Sequence, residues 1–466
     1  MNREKPFGQQ CWRTVATATL LMLLGAVPRV ARLHRPLHMD EGFAINVFLR
    51  APVRKTFTHF EVGQNHPLYN LLARVVSWAS LEPWAIRLPA LVAGIASVPV
   101  LFLFLRPHTG AVPACLAAAA LALTAHQIEY GAFARGYSLA VLGTIVASGL
   151  LLTGIQSDRR AIWFGYVAAL VAAAYAQIWI LVVLVGHAMF IVLRGRRIGS
   201  CVAVRFPLSV MAALSMSALL YAAMVPDILL RFHEQSQLWF APRLWEAIRD
   251  NCVFGQPGLE LGQWTVAVNV FMLGTIALAF WRRQHQKSLV GTLHAAIVLA
   301  GLAVAAAVRP AVFYSRYLFF LFPSYSCVFA VAVSALLTIR NQNGNRRETR
   351  LATILALGGS IAAVVSVATV CLCPAAPGAW PGLVQVPQVA ASLLLLSWLL
   401  EPLSGWKRLV TCAGLAVAGG YSAVVLALEL TKSPFDRTLT TVVAIPLVLL
   451  VTEELRETQT ETSEVL

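Results

Sequence analysis

Apolar runs long enough to cross roughly 30 Å of hydrocarbon, about 17 to 25 residues each, follow one another along almost the whole chain. They begin near Trp12, Arg87, Ala111, Tyr137, Ala161, Ile178, Pro207, Trp264, Ser288, Tyr317, Leu351, Val384, Leu409 and Thr438. The pattern predicts an all-α polytopic membrane protein with about 12 to 14 transmembrane helices. Residues 161–193 read equally as one kinked helix or two short ones. The first run, 14–27, follows the basic residues Arg3, Lys5 and Arg13, and no small-residue cleavage site precedes the next polar stretch. It reads as a retained signal anchor. Residues 66–80 are different in kind. Leu68, Leu71, Leu72, Val75 and Val76 fall on one side of a helix too short to span, which predicts an amphipathic juxtamembrane helix.

Charge orients this pattern. If 66–80 lies on the outer surface, one set of short loops collects Arg106, Arg159, Arg160, Arg194, Arg196, Arg197, Arg282, Arg283, Arg346 and Arg347. The opposite short loops hold only Arg135, Arg309, Arg316, Lys432 and Arg437. By the positive-inside rule both termini are then cytoplasmic, in a cell (plasma or inner) membrane, and two long loops, about 29–86 and 226–263, face outward. Composition agrees: 58% of residues are hydrophobic and only 12% charged, far from soluble usage. The net charge of +15 is therefore topology signal beside anionic lipid and implies no nucleic-acid partner. Arg29, Arg32, Arg35, Arg74 and Arg87 crowd the first outer loop, where topology disfavours them. Such cations suggest an anionic ligand such as a lipid phosphate, against the plainer reading of interfacial snorkelling. The eight cysteines are scattered without zinc spacing, and no P-loop, dinucleotide fingerprint or nucleophile elbow is present.

Candidate chemistry comes from outward-facing segments. Adjacent carboxylates, Asp40 and Glu41, sit in the first loop, where one is a candidate general base and its neighbour a cation or sugar ligand. The structural alternative makes Asp40 the N-cap of a helix over 43–50. His66 precedes Pro67 at a predicted helix start, with Tyr69 following, and suits phosphate or metal contact. Residues 126–139 bring Glu129, Arg135 and Tyr137 to the same depth, with a structural Glu129–Arg135 pair as the competing account. Arg316 and Tyr317 head a later span from the outer side, where an arginine suits a phosphate.

In order, the first-loop "DE", "HPLYNLLARVVSW", "IRLPALVAGIASVPVLFLF", "IEYGAFARGYSLAVL" and "SRYLFFLFP" resemble the signatures of glycosyltransferase family 39. That group includes protein O-mannosyltransferases and lipid A aminoarabinose transferases of the GT-C membrane fold. The likeness covers about the first 200 residues and returns near Arg316. It implies transfer of a monosaccharide from a polyprenyl-phosphate-linked donor to a lipid, glycan or protein acceptor outside the cytoplasm. It further implies Asp40 as base or metal-linked carboxylate with Glu41 beside it, and His66, Tyr69, Arg135, Tyr137, Arg316 and Tyr317 as donor-binding residues. A divalent metal ion is the one cofactor to consider, with Asp40 and Glu129 as ligands. The chain departs from the pattern at Ala132, Phe133 and Ala134, where the family's second acid is missing, and Glu129 is the available substitute.

The expected organisation is a catalytic GT-C membrane domain over 1–340, further transmembrane helices over 341–452 and an acidic cytoplasmic tail over 453–466. A transporter or lipid flippase would also need many helices. However, no half-to-half repeat is evident and the polar constellation lies at one face, which favours an interfacial enzyme. An inactive GT-C relative kept as an assembly partner is the third reading, discriminated by whether Asp40→Asn abolishes function.

Overall fold

The computed structural model describes residues 7–60, 65–123, 125–157, 159–195, 199–235, 288–307 and 319–342. The expected spans near Trp264, Leu351, Val384, Leu409 and Thr438, most of the second outer loop and the acidic tail lie outside them, as do Arg316 and Tyr317.

Every described element is helical. The long helices are α1 (Phe7–Val30), α5 (Pro83–Thr109), α6 (Ala111–Leu123), α8 (Tyr137–Gln156), α9 (Arg160–Ala176), α10 (Leu181–Arg194), α11 (Ser200–Tyr221), α13 (Ser288–Ala307) and α14 (Leu321–Gln342). Between them lie shorter helices: α2 (Met39–Ala44), α3 (Arg54–Thr58), α4 (Pro67–Ser77), α7 (Ala125–Gly131) and α12 (Val225–Gln235). Among the described residues four helical stretches are long and apolar enough to cross a membrane: Cys11–Val30, Pro83–Thr109, Tyr137–Gln156 and Ser200–Leu230. Leu103, Phe164, Val192 and Leu219 are exposed on the outside while Ser97, Ser148, His187 and His294 are buried within, the inverted arrangement expected of a bundle solvated by lipid.

Residues 161–193 resolve into two helices. A 3-10 turn at Ile178–Ile180 separates α9 from α10, and Gln177 is extended at the break. Pro89, Pro99 and Pro107 all lie within α5, which neighbouring helices tolerate in a membrane. α8 packs along α9, α5 against α1, α6 and α8, and α13 against α10 and α14. Small residues permit these approaches: a Cβ on Gly143 would run into Ala173, and one on Gly186 would meet the Ile297 backbone at about the 2.5 Å of a hard clash.

This antiparallel packing brings the C-terminal ends of α1, α6 and α9 to the same end of the bundle as the N-terminal ends of α5 and α8. The first loop, with α2, α3 and α4, lies across that end through contacts of α4 with α5 and α9. All the chemistry predicted within the described residues is gathered there.

Candidate active site

The acidic pair sits in α2, whose start is set by local hydrogen bonding. Asp40 does not cap the helix. His38 does, accepting the Asp40 N–H on Nδ1 at 3.2 Å while Glu41 Oε2 accepts the His38 N–H at 2.9 Å. This is a capping box with histidine in the place of serine or threonine. The helix also ends early: Met39–Ala44 passes into a π-helical turn at Ile45–Leu49 in place of the single helix expected over 43–50.

Glu41 is entirely buried. Arg87 Nε donates to its Oε1 at 2.9 Å and Arg87 Nη2 to its Oε2 at 2.6 Å, a bidentate fork, and the Ala134 N–H donates to Oε1 at 2.8 Å. Arg87, at the first turn of α5, spends its remaining donors on the carbonyls of Arg32, Leu33, Arg35 and Pro36, at 2.8 to 3.1 Å. Glu41 and Arg87 therefore fasten the loop after α1, α2, the start of α5 and the α7–α8 turn to one another. The four donors leave Glu41 no lone pair in a favourable direction for a reacting proton.

Asp40, also buried, pairs with Arg135, the two groups 3.0 Å apart. Arg135 stands in the turn between α7 and α8 and is 1% exposed. Its Nη1 donates to the Tyr137 hydroxyl at 3.2 Å, and its guanidinium faces the Phe133 and Tyr137 rings at 5.7 and 6.0 Å, a favourable setting for a desolvated cation. Tyr137 in turn meets His66 edge-on, with ring centroids 5.1 Å apart.

His66 lies just before α4, with Pro67 at the first helical position as expected. Its Nδ1 donates to the Ala176 carbonyl at the end of α9, at 2.8 Å. Gly136 makes this possible, since a Cβ there would collide with the Ala176 carbonyl and approach His66 Nδ1 to 3.0 Å. Asp40, Arg135, Tyr137 and His66 thus form one continuous contact series.

Other expected roles are redistributed. Tyr69 is buried, its hydroxyl donating to the Ile86 carbonyl. Burial, then the nearby Glu41 charge, pushes this phenol well above its ordinary range, with Arg87 opposing, so Tyr69 is a fixed donor beneath the site. Glu129 does not pair with Arg135. Its partner is Arg32, and its own side chain is about half exposed. Burial, reinforced by Arg35, lowers the Arg32 guanidinium to about 10, which leaves it charged at neutral pH. Arg29 threads between α5 and α7, its two Nη atoms donating to the carbonyls of Gly25, Ala122, Leu121 and Gln127. Arg74 is held by the carbonyls of Phe48 and Ala51. The outer-loop cations Arg29, Arg74 and Arg87, read from sequence as awaiting an anionic ligand, are occupied by the protein's own carbonyls and carboxylates. The residues that sequence reasoning missed are His38 and Arg87 as the partners of Glu41, and Arg32 as that of Glu129. The His38–Glu41 spacing of three was the available signal for the first.

The acidic side chains are already engaged. Asp40 and Glu129 each face a guanidinium, and among the described residues no three His, Cys, Asp or Glu side chains converge on one point. These residues do not fit a divalent ion as they stand.

No family model matches the sequence, and no curated protein matches it. Solved structures do. ArnT from Cupriavidus metallidurans in the apo state is similar at a TM-score of 0.51 and 14% identity, over 96% of this chain and 76% of that one. The fold is similar to that of GT-C membrane glycosyltransferases. The arabinosyltransferase EmbB from Mycobacterium smegmatis gives a TM-score of 0.51 at 14% identity, over 97% of this chain and 42% of EmbB. ArnT bound to undecaprenyl phosphate gives 0.49 at 13% identity, over 96% and 76%. At such identity the likeness is one of fold alone, a multi-pass helical membrane protein structurally similar to GT-C enzymes.

Proposed function

We propose that this protein is an integral membrane glycosyltransferase, most similar in its motifs to family 39, that transfers a monosaccharide from a polyprenyl-phosphate donor to a lipid, glycan or protein acceptor on the extracytoplasmic face. The observation that carries the reading is the buried Asp40–Arg135 pair, 3.0 Å apart, at the one end of a GT-C-like bundle where the first loop meets the α7–α8 turn. Arg106, Arg160 and Arg194 mark the opposite ends of α5, α9 and α10, which supports an outward-facing site by the positive-inside rule.

The chemistry follows from the pair. A lipid-linked sugar phosphate brings an anion that competes with Asp40 for the guanidinium, and Arg135 exchanges a carboxylate for a phosphate. Asp40, released from its counter-ion, takes the proton of the acceptor hydroxyl. The acceptor oxygen bonds to the anomeric carbon as the carbon–oxygen bond to phosphate breaks, and the electron pair leaves on the phosphate, where Arg135 stabilises the growing negative charge. With one base and direct displacement the anomeric configuration inverts. Glu41 takes no proton in this scheme and fixes the position of its neighbour. No step uses a metal. His66 and Tyr137 bracket the pair on the α4 side, and Arg316 and Tyr317 remain proposed donor contacts from the resemblance alone.

The test is transfer of labelled sugar from synthetic polyprenyl-phosphate monosaccharides by the purified full-length protein, beside Asp40→Asn. Transfer by the wild type alone supports the reading. Equal transfer by the variant removes Asp40 as the base, and no transfer from any donor by folded protein refutes the assignment.

A further inference from the structure

Beyond His66 the contact series runs into a group of side chains that each carry a buried polar atom without a hydrogen-bonding partner. Asn70 lies one turn after His66 on the same face of α4, and its Nδ2 donates to nothing. Gln177 follows Ala176, the residue whose carbonyl holds His66, and its Nε2 also lacks an acceptor. Tyr175, two residues earlier, has an unsatisfied hydroxyl, and Asn65 has an unsatisfied Oδ1. Asn65 Nδ2 reaches the Met224 sulfur at 3.3 Å, and Met224 packs in one cluster with Tyr175, Tyr221 and Phe60. The four residues therefore lie around the junction of α4 with the end of α9. Asn70, Gln177 and Tyr175 are each at least nine-tenths buried.

A buried unsatisfied amide or hydroxyl costs on the order of 1–3 kcal/mol, so several around one junction point to a ligand that completes them. Their chemistry defines its class. Two amide N–H₂ donors, one amide acceptor and a phenol that does both match vicinal hydroxyls, which donate and accept equally. None of the four carries charge. Asp227, on the neighbouring α12, is held by His59 Nδ1 at 2.8 Å and the Phe60 N–H at 3.2 Å.

We propose that Asn65, Asn70, Tyr175 and Gln177 form the subsite for the transferred sugar ring, and that this sugar is an uncharged one rather than an amino sugar or a uronic acid. The assignment rests on the glycosyltransferase reading, and places the ring beside His66 and Tyr137 with its phosphate toward Arg135. On the part of the ring remote from the anomeric carbon, and so from Asp40 and Arg135, a protonated amine would find no counter-ion among the four, and a carboxylate no cation.

The test measures binding to full-length protein in nanodiscs. The probes are short-chain polyprenyl phosphates bearing a neutral hexose or pentose, a 4-amino-4-deoxypentose, a uronic acid, or no sugar. The wild type is expected to prefer the neutral sugars at least about tenfold. Gln177→Leu and Asn70→Leu should each weaken the neutral-sugar probe by about tenfold, the loss of one well-made hydrogen bond in a desolvated site, and leave the sugar-free phosphate unchanged. Tyr175→Phe guards against misfolding. It deletes an orphan hydroxyl, so the ligand-free protein should melt at or above the wild-type temperature while sugar-probe affinity falls. Equal affinity for sugar-bearing and sugar-free probes, or unchanged affinity in all three variants, overturns the subsite and leaves the enzyme reading standing. The second result would mean that trapped water completes these groups. Preference for the charged sugars overturns the assignment of class. Failure to bind any polyprenyl phosphate overturns both readings together.

Discussion

Glu41→Gln distinguishes an anchoring carboxylate from a reacting one. The substitution preserves shape but replaces one oxygen, which accepts two hydrogen bonds, by an N–H₂ that faces donors. Whichever way the amide turns, it opposes either Arg87 Nε and the Ala134 N–H or Arg87 Nη2 and the His38 N–H. It also leaves Arg87, 4% exposed, without a counter-charge. Breaking a buried ion pair from one side costs about 3–5 kcal/mol, and the four backbone carbonyls that Arg87 keeps put the expectation near the lower figure. At about 2 cal/mol/K of unfolding entropy per residue, a chain of 466 residues loses on the order of 3 °C in melting temperature for that change. The assay is thermal unfolding in nanodiscs at one fixed heating rate, because unfolding of such a protein is read as a rate. Arg87→Leu should match it, and the double variant should lose less than the sum, since the two side chains act as one unit. If Glu41→Gln melts with the wild type yet transfers no sugar, Glu41 takes part in the chemistry and the division of labour argued above is wrong.

Three further outcomes are expected. Asp40→Asn should lower transfer by about 10²- to 10⁴-fold, the range for a general base, with normal membrane abundance; transfer within a few-fold of the wild type would remove Asp40 from the mechanism. Gly136→Ala places a methyl group against the Ala176 carbonyl and should cost about 1–3 kcal/mol of stability by overpacking, with loss of activity as His66 is displaced; an unperturbed melting curve would mean that α8 and α9 separate more easily than their packing implies. A chelator should leave transfer unchanged, because Asp40 and Glu129 already carry guanidinium partners; activity lost to chelator and restored by a divalent salt would show that the pairs open to a metal.

The helices were legible in the sequence because each is specified locally. Hydrophobic length predicted α1, α5 and α8, and Pro67 at the first position with one apolar stripe predicted α4. The division of residues 161–193 was not, because nothing in the apolar run marks Gln177 as the extended residue that ends α9. At the site, residue types and depth were sufficient to single out Asp40, His66, Arg135 and Tyr137. Partners were not readable, because they depend on which helix ends meet. Glu129 and Arg135 are six residues apart and were the natural pair, yet each is matched across the fold, Glu129 to Arg32 and Arg135 to Asp40. Arg29 and Arg87 could not be told from ligand-binding arginines for the same reason: the carbonyls that occupy Arg29 come from α1 and the α6–α7 region, and those of Arg87 from the loop before α2.

Among the described residues, three arginine–carboxylate pairs at one end of a membrane bundle need a reason, since a buried pair by itself contributes little net stability. Their surroundings separate them. Glu41–Arg87 joins four chain segments and has no exposed face, so opening it would release the first loop. Glu129–Arg32 is solvated from the Glu129 side, whose side chain is about half exposed, while Arg32 is buried. Asp40–Arg135 alone is both desolvated and next to the aromatic and histidine groups that lead toward the α4–α9 junction. A desolvated pair stores its charges without either reacting, and an incoming phosphate is the ligand that separates them with the least loss, because it restores to Arg135 the anion that Asp40 gives up. Under the proposed function, Asp40 would therefore act as a base only after the donor phosphate has taken its place on Arg135.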